Sequence, residues 1–208
     1  MSINSFNEIQ SAYSKIFFNA SELLEEADIL FKNQRYARAY LLAHIASEEL
    51  ARCIMLSSAI MKYKIRALDV KKLNRRQTSH LSKIQIAYNF INLLKNYNSP
   101  LNIENILEVS MKVVDINNFP GEKETQRLND MKNAAFYVDQ YKNGTFAPKE
   151  RIKKSDAYDL LVAVNLFREL IEFNKWHEEN KLIELVRKMD PNIILNLKEI
   201  LFKDDKIY

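Results

Sequence analysis

Apolar residues recur at three- and four-residue spacing from about Phe6 to Phe31 and again from about Tyr36 to Met61, with only the polar break KNQR between them. That period is the signature of one face of an α-helix, and two such runs joined by so short a break must fold back on each other. The sequence therefore predicts a long antiparallel helical hairpin. Ala37, Ala39, Ala43, Ala46 and Ala51 sit on its second arm, and small side chains let neighbouring helices approach closely.

The remaining pattern is also helical. Thr78 or Ser79 can cap a helix running to about Leu94, and the Asn-Tyr-Asn-Ser-Pro run to Pro100 ends it. A shorter helix fits Ile103 to Val114, and another fits Glu122 to about Tyr137. The segment YKNGTFAPKERIK lacks helical spacing and carries Gly144 and Pro148. Ser155, with Asp156 and Asp159 in the first turn, starts a helix expected to continue to Met189, and Asp190-Pro191 caps one more. With no strand-like alternation evident, the class is all-α. A helical domain over residues 1–180 with a C-terminal extension over 181–208 is the expected organisation. Residues 20–49 have the flavour of a tetratricopeptide unit, but no second copy follows at a period of about 34, and a stable array needs several.

Composition removes whole classes of function. Two glycines in 208 residues cannot build a phosphate-cradling loop or a dinucleotide fingerprint. The single Cys53 offers neither a disulfide nor a zinc pair, which points to a reducing compartment, the cytoplasm. No leader-like start and no apolar run near the roughly 20 residues of a membrane span are present, so a soluble chain is expected, with no membrane partner.

Charge is unevenly spread over a modest net +4. Between Lys62 and Arg76 stand Lys62, Lys64, Arg66, Lys71, Lys72, Arg75 and Arg76 against one acid, Asp69, and a second cluster spans Lys149 to Lys154. Such runs either track nucleic-acid phosphates, releasing counterions, or keep a surface loop solvated. His80 follows the first run at the start of a helix, with Lys83 three residues on and so on the same face. His44 and Glu48 lie one turn apart, a spacing that suits two metal ligands, yet no Glu-x-x-His unit accompanies them and no metal is assigned. Two roles remain for the double glutamate: Glu48 pairs with Arg52 at i, i+4, or Glu49 projects inward and holds Lys132 or Lys83.

The run ASELLEEADILFKNQRYARAYLLAHIASEELARCIML, then SHLSK, then MKNAAFYVD, resembles the AbiV-type abortive-infection proteins, a branch of the HEPN superfamily. The resemblance covers roughly residues 21–173, with Glu48-Glu49, His80-x-x-Lys83 and the FYVD segment as its markers. It implies a HEPN-like bundle, a homodimer, and an effector that stops phage growth at the cost of the host cell. RNA or the translation machinery would be its target, and a phage protein its trigger. Many HEPN proteins are metal-independent ribonucleases using Arg-Asn-x-x-x-His before the last core helix, so no cofactor is implied. Here that slot reads Lys132-Asn133-Ala134-Ala135-Phe136-Tyr137.

The departure matters chemically. A histidine titrating at about 6.5 can take the proton of a ribose 2′-hydroxyl, whereas a tyrosine titrating at about 10 cannot at neutral pH. Lysine keeps arginine's charge but loses its planar fork. The candidate catalytic set is accordingly Glu49, His80, Lys132, Tyr137 and Asp139, with Lys71, Lys72, Arg75, Arg76 and Lys83 for RNA. Tyr137 as a packing anchor and Asp139 as a cap or ion-pair partner are the structural alternatives. A non-catalytic nucleotide- or RNA-binding module, or a protein-interaction module, is the alternative function.

Overall fold

A computed structural model describes residues 6–64, 68–95, 122–141, 144–173, 175–178 and 181–188. Helix α1, Phe6–Lys32, and helix α2, Tyr36–Lys64, form the hairpin. Its corner is a Schellman turn: Gln34 adopts φ 60, Arg35 N–H donates to the Leu30 carbonyl at 2.8 Å and Gln34 N–H to that of Phe31 at 2.9 Å. Three further helices follow: α3, Val70–Thr78; α4, His80–Lys95; and α5, Glu122–Phe136. Beyond a short hairpin, β1 (Asp139–Tyr141) with β2 (Gly144–Phe146), lie α6, Pro148–Arg151, α7, Lys154–Phe173, and α8, Lys181–Lys188. The fold is an all-α bundle.

Helix α2 is its axle. Packed against α1, α4, α5 and α7, it buries side chains around most of its circumference, among them Leu50, Ile54, Met55, Leu56 and Ile60. Tyr13, Phe90, Phe167 and Trp176 fill the same core from α1, α4, α7 and the turn that follows it. Each such aromatic ring contributes the hydrophobic gain of a large buried apolar area.

The structure departs from expectation in three places. The basic run folds, in its second half, as helix α3, started by the Asp69 side chain accepting from Lys72 N–H at 2.9 Å. The Gly144 segment forms a two-stranded antiparallel hairpin, pairing Asp139 with Phe146, and Gly144 takes φ 139, a conformation that a side chain disfavours. Strands of three residues are too short to show alternation. The helix from Ser155 does not run to Met189 but leaves off at Phe173. Lys175 turns into the left-handed region at φ 55 and Trp176 swings into the core. Gln10 of α1 holds that turn, its Nε2 donating to the carbonyls of Trp176 and Glu178, both at 3.1 Å, while Ser14 Oγ donates to the His177 carbonyl at 2.7 Å. Tertiary bonds to α1 outweigh the local helical preference. The expected helices over 103–114 and after Pro191 lie outside the described residues. Among those residues, no helix is long and apolar enough to cross a membrane.

Candidate functional site

Three helices converge on one carboxylate. Glu48 lies one turn after His44 on α2, and its side chain is 4% exposed. Helix α4 brings His80 and Lys83, three residues apart and so on one face, with Ser79 capping its start: Ser79 Oγ accepts from Ser82 N–H at 3.2 Å. Helix α5 brings Lys132. The Lys132 ammonium donates to Glu48 Oε1 at 2.9 Å, and Lys83 Nζ stands 3.0 Å from Oε2. His80 Nδ1 meets that same Oε2 at 2.7 Å. His44 Nδ1 stands 3.7 Å from Oε1, a close electrostatic approach too long for a hydrogen bond.

The electrostatics follow from that geometry. Burial alone pushes the Glu48 carboxyl up, but His44, Lys132, His80 and Lys83 together pull it well below the usual carboxylate range. Glu48 is thus an anion that only accepts hydrogen bonds, so the His80 proton facing it resides on Nδ1. In the neutral ring, Nε2 then carries the lone pair. The His80 side chain is 67% exposed, whereas Lys83 and Lys132 are nearly covered. The result is a solvent-facing imidazole, oriented from behind by an ionised carboxylate and flanked by two ammonium groups against that one negative charge. Such a constellation can accept a proton beside a phosphate.

Several expected residues stand elsewhere. Glu49 holds neither lysine: its carboxylate takes Arg52 Nη1 at 2.8 and 3.1 Å, and Glu48 holds both lysines instead. The step of about 100° between successive helical residues turns Glu49 away once Glu48 faces α4 and α5. Nor does Glu48 pair with Arg52. Tyr137 is 57% exposed, its ring edge-on to Phe136, and it makes none of the contacts to Glu48. Asp139 opens β1, paired with Phe146. Lys132 alone of the FYVD slot's polar residues reaches the carboxylate. Lys71 and Arg75 are exposed and Lys72 and Arg76 half-buried on α3, which leads directly into His80. Sequence reasoning missed Glu48 as the hub, although the i, i+4 spacing of His44 and Glu48 had marked the right helix face. Among the described residues no group of three or more His, Cys, Asp or Glu side chains could hold a metal ion.

No curated protein and no solved structure matches the chain. The family model described as AbiV matches residues 8–169, a span that contains every helix supplying the carboxylate cluster. With most of the chain matched, and the Glu48, His80-x-x-Lys83 and Lys132 markers all within the match, the chain belongs to the AbiV family of abortive-infection HEPN proteins.

Proposed function

We propose that the protein is a cytoplasmic phage-defence effector that arrests growth of the infected cell by cutting RNA, including RNA of the translation machinery, without a metal. The observation that carries this reading is the 2.7 Å contact between Glu48 and the exposed His80 ring, with Lys83 and Lys132 on the same carboxylate. Nε2 of His80 takes the proton of a 2′-hydroxyl, whose oxygen then attacks the adjacent phosphorus. The 5′-oxygen leaves and is protonated by water, giving a 2′,3′-cyclic phosphate and a 5′-hydroxyl. Glu48 fixes the ring's tautomer, as an acid behind a catalytic histidine does. The ammonium groups of Lys83 and Lys132 oppose the charge that grows on the phosphate. Lys71, Lys72, Arg75 and Arg76 on α3 would lead the strand to His80.

In this reading the base stands at His80 rather than at position 137, and the slot keeps Lys132 as its cation. One observation favours a second reading, non-catalytic RNA binding: both lysines are spent on Glu48, so a phosphate must share them. Incubating the purified protein with total RNA in the presence of EDTA separates the two. Cleavage with cyclic-phosphate ends, lost by about 10²–10⁴-fold in His80→Ala, is expected. Intact RNA, or equal cutting by His80→Ala, overturns the nuclease reading.

A further inference from the structure

Beside the carboxylate cluster, α2, α4, α5 and α7 enclose a cleft of about 270 Å³. Three of these helices serve both places: α2 with His44 one turn before Glu48, α4 with Ile84 after Lys83, and α5 with Met131 before Lys132. The cleft's chemistry is nevertheless opposite in sign. Glu124, Asp156 and Asp159 line it against the single guanidinium of Arg127. That guanidinium is already committed, since Arg127 Nε donates to both Glu124 oxygens at 2.9 Å. Asp156 accepts one bond, from Lys153 N–H at 2.8 Å, and Asp159 has no ion pair among the described residues. Three carboxylates thus face one guanidinium across the cleft.

Tyr40 and His44 of α2 also line the cleft. The Tyr40 phenol is pushed up to about 12 by burial first, with Asp156 and Glu124 adding to the effect and Arg127 opposing it. His44 is 2% exposed, and its Nδ1 stands 3.7 Å from Glu48 Oε1. Ile84, Leu128, Leu160 and Ala163 supply apolar walls, and Tyr88 an aromatic one. Mainly apolar clefts with a few convergent polar groups are where small molecules bind, and this one is of a size for a small ligand.

We propose that this cleft is a binding site for a small organic cation, an ammonium or guanidinium carried on an apolar body. The charged head meets Asp156 and Asp159, the body lies against Ile84, Leu128 and Leu160, and Tyr88 offers a ring face to the cation. An anion of the same shape is excluded by the carboxylates. The occupant sits one side chain, His44, from Glu48.

Isothermal titration of the full-length protein with phenethylamine, agmatine and 3-phenylpropionate tests the site, the first and last sharing an apolar body and differing in charge. At least one amine is expected to bind saturably at millimolar concentration, and phenylpropionate about tenfold or more weaker. Asp159→Asn, at an exposed position that leaves the fold undisturbed, should weaken the amine by about tenfold. Ala163→Phe should fill the cleft and abolish binding, with helical circular dichroism retained. If neither amine saturates, if phenylpropionate binds as well as phenethylamine, or if Asp159→Asn binds like the parent, the site is refuted. None of these outcomes depends on whether the protein cuts RNA.

Discussion

Glu48 is the residue on which the site turns, because its covered carboxylate satisfies two nearly covered lysines and the exposed His80 from other helices. Removing one member of a buried ion cluster leaves charge uncompensated, so Glu48→Ala should destabilise the protein by about 3–5 kcal/mol, measured by urea unfolding. The pH dependence has a definite sign. Since the folded carboxyl is held below its ordinary 4.5, the unfolded chain takes up the proton first. The contribution is full above that value and is lost as pH falls below it. The stability gap between the parent and Glu48→Gln should therefore shrink between about pH 5 and pH 3; a gap that stays constant there would show that Glu48 is not ionised in the fold. Tyr137→Phe, by contrast, should leave stability within about 0.5 kcal/mol and growth arrest intact, for its ring lies on the surface. Growth arrest lost in Tyr137→Phe would return the hydroxyl to the mechanism. His80, Lys83 and Lys132 were legible from the basic run and the family markers. The choice between Glu48 and Glu49 was not, since α2 is buried around most of its circumference and offers no polar stripe to orient the pair.

Among the elements, α1 and α2 could be read almost to their ends, because a long apolar stripe and a polar corner are local signals. Helix α3 could not. Four of its nine residues are charged, and what makes them helical is one cap, Asp69, and one inward side chain, Leu73. The end of α7 was equally hidden, being set by Gln10 and Ser14 at the far end of the sequence. For α3, replacing Lys71, Lys72, Arg75 and Arg76 by glutamine should weaken RNA binding and reduce the slope of log K against log salt by about 3, at roughly 0.7 per single-strand phosphate contact. Filter binding across a salt series measures it. An unaltered slope would make α3 a solvated face and nothing more.

At the scale of the whole molecule, the bundle leaves Phe136, Tyr137 and Val138 exposed in succession beside Lys132 and the β1–β2 hairpin. Three neighbouring uncovered apolar residues favour association. A symmetric homodimer across this face is expected, and light scattering at micromolar concentration should show it; Val138→Lys should yield monomers, and a parent that is itself monomeric would contradict the expectation. The clamp from α1 has a different reach. Gln10→Ala removes two bonds to the turn after α7 and should cost about 1–3 kcal/mol, with hydrogen exchange rising first in residues 175–188. That clamp joins residues 166 positions apart. A ribosome adding about 5–20 residues per second needs roughly 8–30 seconds to travel from one partner to the other. Through that interval α1 and α2 are already made, but the core they share with Phe167, Ile171 and Trp176 is open. Nascent chains therefore spend the interval with that core unfinished, and its closure waits on the turn that follows α7.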